Sequence, residues 1–215
     1  MNVSINSITK PIVADVPEMN MEEYLIYEAR ISAKVRDNVQ TAPKLMKYLI
    51  EHKHWSPFEM IHIGIEIETS RAIAAQILRH RSFSFQEFSQ RYAGVKSVEQ
   101  VELRYQAKDN RQSSTDVVSD REVNAIKSDA LYTAQRSYDA LIKAGVARES
   151  ARMILPLATT TNIVMTGSLR SWIHFFEQRC SEHAQLEIQD IAYTARHLVS
   201  VQCPWTADAL GWTND

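Results

Sequence analysis

Only five glycines and two cysteines occur among the 215 residues, and each scarcity removes a class of chemistry. With no GxGxxG and no GxxxxGK[ST], a dinucleotide or nucleotide, if bound, is not held by a Rossmann turn or a P-loop. Phosphate recognition then falls to arginines, hydroxyls and helix N-termini. Cys180 and Cys203 stand alone, outside any CxxC spacing for zinc or redox work. Cys203, followed by Pro204 and Trp205, reads as a structural stop rather than an activated thiolate. There is no GxSxG elbow and no HExxH. His52 and His54 complete no metal-ligand spacing, and His183 with Glu187 is half of a helical metal pattern, so no metal site is expected.

A strong charge is missing too. The formal net charge of -2 gives non-specific nucleic-acid or anionic-membrane binding no support, and neither is expected as a partner. No run approaches the roughly 18 apolar residues of a membrane span, and MNVSINSITKPIV lacks the apolar core of a signal peptide. With unpaired cysteines, this fits a reduced cytoplasmic setting, or the host cytoplasm for a viral source. A hydrophobic content of 45% and a charged content of 23% describe an ordinary globular chain. One domain over residues 1–215 is expected, large enough to bury about 70% of its unfolded surface.

What is present reads as α+β, a central sheet with flanking helices. Apolar spacing predicts helices from Asn20 to about Lys34 and from Thr41 to about His54. Ile61, Ile63, Ile65 and Ile67 alternate with His62, Gly64, Glu66 and Glu68, the period of a half-buried strand. Ser70 is placed to cap a following helix that sets Gln76 and Arg79 one turn apart on one face. Residues 95–106 suggest a strand, and 108–119 a flexible polar connection. Ser119 and Glu122 form a capping-box pattern before a long helix that ends near Gly145. A short helix stopped by Pro156, a β-branched strand over TTTNIVMTG, and helices over 168–180 and 181–199 complete the chain.

The chemistry concentrates between Arg79 and Tyr92, RHRSFSFQEFSQRY. Arg79, Arg81 and Arg91 bring guanidinium forks that match phosphate or carboxylate oxygens, and Ser82, Ser84, Ser89, Gln86 and Gln90 bring short hydrogen bonds. A phosphorylated small molecule is one reading. A solvated charged loop anchored by Phe83, Phe85 and Phe88 is the other. Elsewhere, Arg170 and His174 share a helix face at i, i+4; Arg179 and His183 repeat the spacing across an expected helix break. Arg30, Ser32, Lys34 and Arg36 put donors near a helix end, where ordinary helix-end charge explains them equally well.

Arg79, His80, Arg81, seven residues and then Ser89 form the RHR-x7-S signature, and the chain resembles the flavin-dependent thymidylate synthases. ARIS at 29–32, HWSPFE at 54–59, Gln76, RMILP at 152–156, SLR at 168–170, RCSEHAQ at 179–185 and CPW at 203–205 extend the likeness along most of the chain. Gln86, Ser168 and His174 stand where that family often has Asn. The resemblance implies a single α+β domain of thymidylate synthase-complementing type, with a mainly antiparallel sheet, assembled as a homotetramer with shared active sites. It implies reductive methylation of dUMP to dTMP, with methylenetetrahydrofolate as carbon donor and FAD reduced by NADPH as hydride source. It would place dUMP against Gln76, Ile77, Leu78, Arg79, Glu87, Phe88, Ser89, Gln90, Arg91, Arg152 and Arg179. It would place FAD against Ser32, Ser56, Glu59, Arg79, His80, Arg81, Glu87, Ser168, Leu169, Arg170, His174 and His183. Arg179 would be catalytic, stabilising negative charge on the uracil ring as C5 becomes nucleophilic. A nucleotide-binding regulator without chemistry, or a single-strand-binding module using the same arginines and phenylalanines, are the rival classes.

Overall fold

The computed structural model describes residues 1–13, 18–36, 38–95 and 97–212. In chain order the first elements are β1 (Asn2–Ile8), α1 (Met21–Ala29), α2 (Ala42–Glu51), β2 (His62–Ser70), α3 (Arg71–Ile77) and β3 (Ser84–Glu87). Then come β4 (Arg104–Gln106), β5 (Ser114–Val117), α4 (Arg121–Lys143), α5 (Arg148–Ala151), β6 (Thr160–Ser168), α6 (Leu169–Arg179), α7 (Leu186–Gln202) and α8 (Pro204–Ala209). The chain is α+β, with an antiparallel sheet ordered β1-β2-β6-β3 and flanking helices. It divides into two compact units, one comprising Met1, Glu68–Arg79 and Gln86–Ile163, the other Asn2–Ile67, His80–Phe85 and Val164–Asp215.

In the second unit the isoleucine alternation does what its period requires. Ile63, Ile65 and Ile67 are fully buried while His62 is exposed. Gly64, on the opposite face, is buried as well, because Ser7 and Asn6 of β1 cross it; a Cβ there would collide with the Ser7 hydroxyl. The strand β1 was not expected, although Val3 and Ile5 alternate with Asn2, Ser4 and Asn6. Backbone pairing, with Thr9 N–H donating to the His62 carbonyl at 2.9 Å, holds the chain after it. Helix α2 packs on α1 and α8, and α7 packs on α6 and β1.

Helix α8 has no sequence signal except Pro204 near its start, and its N-terminus is served from far away. Glu22 of α1 is buried, accepting from Trp205 N at 2.9 Å, Thr206 N at 2.7 Å and Thr206 Oγ1 at 2.7 Å. The two backbone N–H groups are otherwise unpaired donors of a first helical turn. Burial raises the Glu22 carboxyl above its ordinary value, against the lowering effect of these hydrogen bonds. Cys203, beside it, is buried, and burial first and the Glu22 charge second push its thiol up, so it stays protonated.

In the first unit α4 packs on α5 and the short turn after it. Four local expectations are corrected there. Ser70 occupies the cap position of α3, but its side chain makes no capping bond; the Thr159 carbonyl accepts from Arg71 N and the Leu157 carbonyl from Ala72 N instead. The cap of α4 is Asp120 rather than Ser119, accepting from Glu122 N at 2.8 Å and Val123 N at 3.2 Å. The expected strand over 95–106 shortens to β4 after an isolated bridge at Val98, and Lys96 lies outside the described residues. The expected flexible connection contains β5, antiparallel to β4. Gln106 Nε2 reaches the carbonyls of Ala107, Asn110 and Ser113, so a side chain holds the intervening turn that no glycine or proline marks.

Glu22→Gln keeps one acceptor but turns an NH2 toward backbone donors, and should lower stability by about 1–3 kcal/mol in equilibrium urea unfolding.

Candidate active site

In the second unit the candidate site is built on α6. Ser168 caps the helix, its Oγ accepting from Ser171 N at 3.3 Å, and Leu169 N donates to the Ile61 carbonyl at 3.0 Å. Trp172, Phe175 and Phe176 are buried, with Trp172 Nε1 donating to the Ile63 carbonyl at 3.0 Å. A Cβ on Gly167 would lie 2.5 Å from Phe83 Cδ1, so the phenyl ring occupies space that only glycine leaves. Phe83 meets Trp172 edge-on, with ring centroids 4.8 Å apart. Its neighbours are thereby brought to α6: Ser171 Oγ donates to the Ser82 carbonyl at 3.4 Å, and Phe83 N donates to the His80 carbonyl at 3.2 Å.

His80 is only 8% exposed and lies edge-on to Phe175 at 4.9 Å. Half-buried Arg179, at the end of α6, donates from Nε to His80 Nε2 at 2.8 Å. Burial first, then the positive fields of Arg179 and His174, push the imidazole down to about 4. His80 is therefore neutral near pH 7; with Nε2 accepting, its proton resides on Nδ1.

A cavity of about 440 Å³ opens in the same unit, lined by Trp55, Glu59, Ser82, Arg170, Ser171, Ile173, His174 and Glu177. Arg170 and His174 share this wall, as their i, i+4 spacing predicts, and Arg170 Nη1 donates to Glu59 Oε1 at 2.9 Å. Arg179 and His183 do not repeat the arrangement, because α6 ends at Arg179; His183 is exposed beside Glu182.

The first unit carries another set of polar and charged groups. Ser89, Arg91, Tyr92, Ala147, Arg148 and Glu149 line a cavity of about 490 Å³, with Arg91 3.6 Å from Glu149. Glu87 is engaged by Arg71 at 3.1 Å and by Thr161 Oγ1 at 2.9 Å. Gln90 is 3% exposed, and its Nε2, like Arg152 Nε, is a buried donor with no protein partner. Such groups cost about 1–3 kcal/mol unless something accepts from them.

The residues that the RHR-x7-S resemblance assigns to dUMP all fall in the first unit, except Arg179. Those it assigns to FAD fall in the second, except Arg79 and Glu87. Arg79 follows α3, which ends at Ile77, and its N–H donates to the Gln76 carbonyl in a turn. Gln76 and Phe88 are half-buried, and Leu78 is 38% exposed. Ile77 and Leu169 are fully buried core side chains, Ser168 is buried in its cap, and Ser32, Ser56 and Arg81 are exposed. Of the donors near the end of α1, Arg30 holds Asn38 and Thr41, and Arg36 holds Tyr27 and Glu28, so both brace their own loop. Sequence reasoning missed Trp55, Ile173, Glu177, Arg148 and Glu149 in the cavities; the glycine before Ser168 was the available signal for Phe83.

Residues 16–205 match the family model described as thymidylate synthase complementing protein. The chain belongs to this family. It is 43% identical over 217 residues to a probable flavin-dependent thymidylate synthase of Paramecium bursaria Chlorella virus 1, covering 99% of this chain and 100% of that one. Against the flavin-dependent thymidylate synthase of Synechocystis sp. it is 42% identical, again covering 99% and 100%. The solved UMP/dUMP methylase PolB from Streptomyces cacaoi, bound with 5-Br dUMP, superposes with a TM-score of 0.84 over 98% of this chain and 94% of that chain. At 24% identity, that likeness bears on the fold of this thymidylate synthase complementing protein family member.

The lowered His80 value sets a pH dependence. As pH falls below about 6.5 the unfolded chain protonates this imidazole, whereas the folded chain does not until about 4. The associated stability is complete above 6.5 and lost progressively toward 4, up to about 3 kcal/mol in all. Urea unfolding at several pH values should show a shallower acid loss for His80→Gln than for the wild type.

Proposed function

We propose that this protein is a flavin-dependent thymidylate synthase, converting dUMP to dTMP with methylenetetrahydrofolate as carbon donor and NADPH as reductant of FAD. The observation that carries the reading is full-length similarity, at 42–43% identity, to proteins bearing that name.

Ser89, Gln90, Arg91 and Arg152 would hold the phosphorylated end of dUMP. The buried, unpartnered Gln90 Nε2 and Arg152 Nε support this, because an anion supplies the acceptors they lack. Arg179 would meet the pyrimidine, its permanent positive charge stabilising negative charge as C5 becomes nucleophilic. The protonated Cys203 thiol makes no competing claim as a nucleophile.

The cavity walled by Trp55, Glu59, Arg170 and His174 fits part of FAD: an indole face suits a conjugated ring, and Arg170 suits a diphosphate. Ser32, Ser56, Arg81 and His183 would complete that shell, with Arg79 placed toward both ligands. FAD, when bound, supplies the hydride chemistry that completes the methyl group.

A homotetramer with shared active sites belongs to the same proposal. It is supported by α4, 23 residues long with only Tyr138 buried, and by Ile126 at 71%, Tyr132 at 66% and Met153 at 77% exposure. Surfaces of this kind call for coverage. Residues 1–215 would act as one catalytic domain in the cytoplasm.

An absorbance spectrum of the protein loaded with FAD and then given anaerobic NADPH should show flavin bands that bleach, faster with dUMP present. A protein that binds dUMP but retains no flavin would overturn the reading in favour of a regulator. Arg179→Ala should retain FAD while dTMP formation drops by about 100-fold or more.

A further inference from the structure

Arg179 ends a helix and carries a long side chain, so its position in sequence does not fix where its guanidinium points. Its Nε–H is directed at His80 Nε2, 2.8 Å away. Once Nε–H is held, the guanidinium plane is set and the Nη1/Nη2 edge is turned away from His80.

We propose that His80 is a positioning residue, which orients the Arg179 guanidinium toward the pyrimidine by accepting its Nε–H. This rests on the synthase reading above, with Arg179 at the uracil ring.

The surroundings of His80 suit that task. Its ring is braced edge-on by Phe175 at 4.9 Å and by Phe83 at 6.5 Å, and Phe83 is itself seated over Gly167. An imidazole that became cationic would present a second donor to a donor and repel Arg179. Burial and the fields of Arg179 and His174 hold it neutral, so the acceptor persists through the physiological range. A ring committed in this way differs from one whose role is to touch flavin, as the resemblance implies for the middle residue of RHR.

Two substitutions separate the possibilities. His80→Phe keeps an aromatic ring against Phe175 and removes the acceptor; His80→Gln sets an amide oxygen near the Nε2 position and restores one. In flavin-loaded protein, His80→Phe should lower kcat about 10- to 100-fold with KM for dUMP changed less than about threefold. His80→Gln should recover most of that loss. Nitrogen-15 NMR of the full-length wild type at pH 7 should show His80 protonated at Nδ1. Hydrogen exchange at Arg179 Nε should be slow in the wild type and His80→Gln, and fast in His80→Phe.

Wild-type turnover in His80→Phe, or an Nε2-protonated His80, would overturn the proposal. So would loss of flavin in both variants, which would make His80 a flavin contact. If the wild type forms no dTMP, the synthase reading falls by itself, and tautomer and exchange still decide whether His80 holds Arg179.

Discussion

The contact between Phe83 and Gly167 is the constraint on which the second unit's site depends. A side chain at residue 167 would occupy the place of the phenyl ring, and without that ring the 80–83 segment loses its Phe83 anchor on α6, beside the Ser171–Ser82 and Arg179–His80 hydrogen bonds. Segment and helix bring different halves of the chemistry. His80 and Ser82 come with the first, Arg170, His174 and Arg179 with the second. Burial of the ring against Trp172 also removes water from His80, which lowers the basicity of the imidazole and leaves it an acceptor for Arg179. Packing and electrostatics are here one arrangement: the ring that seats the segment helps choose the charge state of its histidine.

Buried polar groups elsewhere divide by whether the chain satisfies them. Glu22 is enclosed and fully used, its carboxylate closing the first turn of α8 across more than 180 residues of sequence. Gln90 is also enclosed and Arg152 half-buried, yet each keeps a buried donor without a protein acceptor. The first pattern is architecture. The second is the kind of cost that proteins carry at binding sites, where a ligand completes the hydrogen bonds.

Much of the fold was legible because local physics and tertiary need agreed. The alternating isoleucines of β2, the β-branched run of β6 and the long helix before Gly145 all follow their periods. Two of the failures share a cause, partners distant in sequence: Thr159 and Leu157 replaced the Ser70 cap, and Glu22 organised an unmarked α8. The others are local, a cap shifted by one residue to Asp120 and a β4–β5 turn held in part by the Gln106 side chain.

For the site, sequence by itself determined the inventory: RHR-x7-S, the cofacial Arg170 and His174, and the absence of phosphate-binding glycine motifs, each readable because residue type and spacing are local properties. It could not say which of these groups are spent. Only the tertiary structure decided that Ser168 is a helix cap, that Arg30 and Arg36 brace their own loop, and that His80 faces Arg179 as a neutral acceptor. The physical reason is that hydrogen-bond commitment and burial depend on what folding brings within about 3 Å, and the protonation state of an imidazole follows from both.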